Sequence, residues 1–173
     1  MSWKDSLRDY LDKNEADSEY IDDIVFSITT DICEKLDRYV SYVSDILRDT
    51  SRAITDEELD DIIMTIPTLV YFVGEAQERM GIRQDVADSN YKNLYNKHYM
   101  EAEGTAQIRK SYCETMLENE ALVSIVYKKS YDLIKQKVSI AIELLQSAKK
   151  ILSRRMLASE LERSAPNKDR SVS

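Results

Sequence analysis

One histidine, two cysteines and a rich set of carboxylates and tyrosines bound the chemistry open to this 173-residue chain. His98 stands alone, and Cys33 and Cys113 sit at no motif spacing. A thiol or imidazole metal site therefore lacks ligands, and histidine-dependent catalysis would rest on a single side chain. The cysteines read as two reduced, semi-buried thiols. Among the carboxylates, Glu57, Glu58 and Asp61, with Glu75 and Glu78 further on, fall three or four residues apart and share a helical face that would hold Mg²⁺. All-helical nucleotide pyrophosphohydrolases look similar in outline. Against that chemistry, Glu58 is also placed as a cap partner, and acidic first turns are favoured by the helix dipole. The chain is expected not to be an enzyme, with no metal and no cofactor.

The tyrosines offer a different chemistry. They interleave with basic residues at Tyr91, Lys92, Tyr95, Lys97 and Tyr99, at Arg109, Lys110 and Tyr112, and at Tyr127, Lys128, Lys129 and Tyr131. Single-stranded nucleic acid is held by this combination, cations tracking phosphates while aromatic faces stack bases without base preference. The candidate contacts are Lys92, Lys97, Arg109, Lys110, Lys128, Lys129, Lys135 and Lys149. Lys128, Lys135 and Lys149 share one flank of a heptad wheel. A structural reading competes: Tyr127 and Tyr131 lie in an apolar seam, and lysines beside such a seam are ordinary decoration. The charge layout is uneven, with 7 basic against 18 acidic residues from Met1 to Ile66 and 10 against 5 from Thr105 to Arg155. The acidic part is either a solvated face or a docking surface for a basic partner.

The elements that must position these residues are helices. Only 3 Gly and 2 Pro punctuate the chain, too few for the turns of a sheet protein. Apolar residues from Tyr20 to Asp49 recur at gaps of three, one or four, which predicts one long amphipathic helix. Thr55 to Glu58 forms a capping box that starts a second helix. Pro67 is expected to kink or restart it near Ile66, and Gly81 to end it. A third helical stretch is predicted from about Arg83 to Glu103, with Gly104 either a weak point or a break. Beyond Glu118-Asn119-Glu120, a heptad seam from Tyr127 to Leu152 predicts a long final helix.

The fold class is thus all-α, an elongated helical bundle with a long C-terminal heptad helix. A helix from Ala121 to Arg163 would be roughly 65 Å long, against about 40 Å for a compact chain of this length. An oligomer is therefore expected, its interface on the seam residues Ile134, Val138, Ala141, Leu145 and Leu152. One domain covers 1–163, acidic over about 1–66 and mixed to basic over about 67–163, with 164–173 a disordered tail. The acidic start carries no apolar h-region, and the most apolar stretch, Ile62 to Val73, is too short to span a bilayer. A cytoplasmic protein without membrane contact is expected.

The segment Tyr91 to Leu161 resembles the phage UvsY-type recombination mediators. The likeness is carried by Tyr-Asn-Lys-His-Tyr-Met-Glu-Ala-Glu-Gly-Thr (Tyr95 to Thr105), Ile-Arg-Lys-Ser-Tyr (Ile108 to Tyr112) and Leu-Leu-Gln-Ser-Ala-Lys-Lys-Ile-Leu-Ser-Arg-Arg (Leu144 to Arg155). It covers less than half the chain and is a likeness of helical texture. It implies a small all-helical protein that binds single-stranded DNA and helps load a recombinase onto DNA covered by single-strand-binding protein. It places DNA contacts on the basic positions from Lys92 to Lys110 and assembly on the C-terminal helix. The long acidic region before Pro67 departs from the family pattern. A non-enzymatic virion-assembly or adaptor protein is the alternative on the residues themselves.

Overall fold

The break after the first predicted helix shows how this chain turns. Asp49 accepts from the Ser51 amide at 2.9 Å, and Arg52 grips both oxygens of Glu58 at 2.8 and 2.6 Å. Glu58 in turn accepts from the Thr55 amide at 2.8 Å, and its own amide donates to Thr55 Oγ1 at 3.1 Å, completing the capping box. The computed structural model describes residues 3–49 and 51–164, with side chains from Ser18 onward. Helix α1 spans Trp3–Arg48, α2 Asp56–Glu101, α3 Ala106–Met116 and α4 Glu118–Ser164. The described residues contain no strand, so the fold is an all-α helical bundle. The expected tail lies outside the described residues from position 165 on.

Arg52 and the Thr55 amide together hold the Glu58 carboxyl down at about 2, from an ordinary 4.5. The folded carboxyl thus gives up its proton more readily than the unfolded one. Its contribution to stability is complete above the ordinary value and is lost as pH falls toward about 2. Glu58→Gln keeps an acceptor for Thr55 but not the charge. The variant is expected to lose less of its urea midpoint than the wild type between neutral and acid pH, followed by circular dichroism.

Each long helix buries one stripe. On α1 it is Val25, Thr29, Cys33, Leu36 and Val43; on α2 Leu59, Ile62, Ile66, Val73 and Met80; on α4 Ser130, Ile134, Ala141, Leu145 and Ala148. Gaps of three, four and seven are those of helices that bury a heptad face. The restart expected at Pro67 and the helix end expected at Gly81 do not occur. Helix α2 runs unbroken through Pro67 and Gly81, so the stretch from Arg83 to Glu103 is its second half and not a third helix. Pro67 removes one amide donor, yet buried residues on both sides of it, Ile66 and Val73, keep the helix anchored. Gly81 serves close approach. A Cβ there would stand 3.3 Å from the Tyr131 ring. The break falls at Gly104, whose φ of 109° is the single positive value among the described residues. Thr105 then caps α3, accepting from the Ile108 amide at 3.4 Å.

The chain divides into two compact units, the first Met1–Glu34 with Phe72–Lys137, the second Lys35–Tyr71 with Val138–Ser173. The compositional boundary near 66 falls inside α2, shortly before the division of the units between Tyr71 and Phe72. In the first unit α2 and α4 run antiparallel, Gly81 meeting Tyr131 and Ser124 donating to Asp88. Cys113 and Leu117 anchor α3 there, both buried, and the Cys113 thiol donates to the Tyr95 carbonyl at 3.8 Å. In the second unit Tyr39 donates to Asp61 at 2.6 Å, and Arg155 reaches both the Asp56 carboxylate and the Ile54 carbonyl, tying α4 to the start of α2. Burial and the Asp61 hydrogen bond push the Tyr39 phenol up to about 12.

Candidate nucleic-acid interface

The last turns of α2 carry tyrosines four residues apart at 91, 95 and 99, a spacing that aligns them along one helix face. The Tyr91 and Tyr95 ring centres are 6.1 Å apart and tilted by 39°, and those of Tyr95 and Tyr99 are 6.1 Å apart and nearly parallel at 14°. All three rings are half-buried. The positive φ of Gly104 folds α3 back toward this ladder and so delivers its cations. The Arg109 guanidinium carbon lies 6.0 Å from the Tyr99 ring centre, and its Nε donates to the Gly104 carbonyl at 3.1 Å, which fixes its aim. Exposed Lys110 sits 3.6 Å from Glu114.

Between α2 and α3 opens a pocket of about 450 Å³, walled by Tyr95 and Tyr99 and edged by Asn96, Gln107 and Lys110. Its size lies within the range of small-ligand sites. Partial burial pushes the Tyr95 phenol above its ordinary value, with Cys113 and Glu114 adding to the effect. The Tyr95 phenol therefore stays neutral at physiological pH, and the cations nearest the rings are Arg109 and Lys110, with Lys92 and Lys97 exposed on the same stretch of α2. Flat aromatic walls beside cations can stack a base and hold its phosphate. His98 faces Tyr112 edge-on at 6.4 Å and lies 3.9 Å from Glu101.

The other candidate lysines are placed differently. Lys128, Lys129, Lys135 and Lys149 are exposed on α4, and none lines the tyrosine pocket. Lys129 borders a groove that also holds Asp22 and Asp132, so its charge faces carboxylates. Lys149 belongs to the second unit. Of the seam residues of α4, Ile134 and Ala141 are fully buried and Leu145 nearly so within the single chain, while Val138 and Leu152 are half-buried. Ile134, Ala141 and Leu145 thus find apolar cover within the chain.

Three of the candidate carboxylates of α2 are engaged locally. Glu58 is held by Arg52 and Thr55, Asp61 by Tyr39 and Thr65, and Glu75 by Arg79. Among the described residues no three His, Cys, Asp or Glu side chains converge as a metal site, and no helix is long and apolar enough to cross a membrane. Sequence reasoning missed the roles of Asn96 and Gln107 in the pocket and of the Gly104-Thr105 turn that forms it. The Gly-Thr pair, a left-handed residue followed by a helix cap, was the available signal. No protein-family model, curated protein or solved structure matches the chain.

Proposed function

We propose that the protein binds single-stranded DNA through the Tyr91–Tyr95–Tyr99 ladder and the cations of α3, and acts as a non-enzymatic recombination mediator that helps load a recombinase onto DNA covered by single-strand-binding protein. The supporting observation is the convergence of the stacked Tyr95 and Tyr99 rings with Lys110 around one pocket, with Arg109 beside the Tyr99 ring. Loading of a recombinase, a phage origin and action in the host cytoplasm follow from the UvsY-type texture of Tyr91 to Leu161 alone.

Fluorescence anisotropy of a labelled single-stranded oligonucleotide, titrated at several salt concentrations, tests the binding. Each neutralised phosphate adds about 0.7 to the salt slope of a single strand. Changing Arg109 and Lys110 together to Gln is expected to flatten the slope by about 1.4, whereas changing Lys128, Lys135 and Lys149 to Gln leaves it unaltered. Flattening by the α4 variant alone would move the interface to that helix. No binding even at about 50 mM salt, where phosphate contacts are strongest, would refute the reading.

A further inference from the structure

In the first unit, α2 and α4 leave an open groove of about 380 Å³ whose wall is mostly apolar. Ile82, Val86 and Val123 line it while remaining 62%, 54% and 48% exposed, and Tyr127 forms part of its floor. Large apolar side chains left together in solvent mark a surface that associates. Ile82 and Val86 stand four residues apart and form a ridge along α2 beside the groove. Such a ridge can seat in the corresponding groove of another helix pair.

The charges on this surface decide what that second pair is. Arg83 and Glu120 both border the groove, and neither has an ion-pair partner among the described residues. The antiparallel register, Gly81 against Tyr131 and Asp88 against Ser124, puts them at opposite ends. Arg83 lies toward Tyr131, and Glu120 lies beyond Ser124. A two-fold axis through the middle of the groove exchanges its ends. It sets Arg83 of one copy against Glu120 of the other, twice, while each Ile82–Val86 ridge enters the opposing groove. Surfaces that contact themselves across a two-fold axis need this self-complementarity.

We propose that the α2–α4 groove is a two-fold interface between two copies of this chain, closed by the Ile82–Val86 ridges and by reciprocal Arg83–Glu120 pairs. It meets the seam of α4 at Tyr127, shares none of the buried seam residues from Ile134 onward, and does not depend on DNA binding. The test is sedimentation velocity of the full chain across a micromolar dilution series. The wild type is expected to dimerise, and a wild type monomeric throughout would overturn the proposal. Val86→Asp is expected to give a monomer with unchanged circular dichroism, because the site is half-exposed and the substitution leaves the core intact; a folded variant that still dimerises overturns the proposal. Arg83→Glu and Glu120→Arg each set like charges together twice, so each is expected to weaken the dimer about tenfold. The double variant R83E/E120R restores opposite pairing and is expected to recover dimerisation. Failure of the double variant to recover would overturn the two-fold arrangement.

Discussion

Replacing Tyr95 and Tyr99 together with Leu is expected to weaken single-stranded DNA binding by about a hundredfold, while the corresponding Phe variants bind within about twofold of the wild type. Stacking of a base on an aromatic side chain is worth about 1–3 kcal/mol. Two rings would give twice that if both faces of each were free, but Tyr95 and Tyr99 stack on each other at 14° and are half-buried. The lower part of the range applies, about 2–3 kcal/mol for the pair, and about 1.4 kcal/mol corresponds to each factor of ten. Leu retains helix propensity and apolar bulk, so the loss reports the ring and not the helix. Phe removes only the hydroxyl. Because Tyr95 titrates above its ordinary value, neither variant changes the charge at position 95 near neutral pH. Anisotropy with a labelled oligonucleotide measures the change, and unaltered affinity in a folded Leu variant would remove the ladder from the interface.

Periodicity and capping were legible because both are local. The stripe from Val25 to Val43 and the capping box at Thr55 and Glu58 depend on residues within a turn or two, and the structure shows both. The breaks were less legible. Pro67 and Gly81 each disfavour a helix locally, yet buried neighbours carry α2 through the first and the Tyr131 ring fills the space beside the second. Gly104 differs because its φ is positive, a conformation that glycine permits but does not compel, as the helical Gly81 shows. The candidate site divides along the same line. The four-residue spacing of Tyr91, Tyr95 and Tyr99 was visible, and so were the cations, but which cations meet the rings depends on a turn. That turn brings Arg109 to Tyr99 and leaves Lys128 and Lys135 on another helix. The seam of α4 was legible as apolar; its assignment to a partner was not, because one chain's periodicity does not say whether its complement lies in the same chain.

That assignment leads to the second large effect. Leu145→Ala is expected to lower the free energy of unfolding by about 3 kcal/mol, within the range for truncating a buried leucine. Leu145 is 8% exposed, and Ala141 and Ala148, one turn to either side, are fully buried. The neighbouring small residues leave little bulk to collapse into the space, so most of the cavity penalty should remain. For a chain of ordinary stability, about 5–15 kcal/mol, the loss is a large fraction of the total and a clear shift in urea midpoint. The same substitution separates two origins of the burial. If the seam were closed by a second copy, Leu145→Ala would act through association, and a chain already monomeric would be indifferent to it. With the seam closed within the chain, the loss persists in the monomeric Val86→Asp background. The two effects then add within about 0.5 kcal/mol, since the sites lie in different units and share no partner. Urea unfolding of the single and double variants, monitored by circular dichroism, measures both quantities. An unchanged midpoint in V86D/L145A beside a lowered one in L145A would return the seam to the interface between copies.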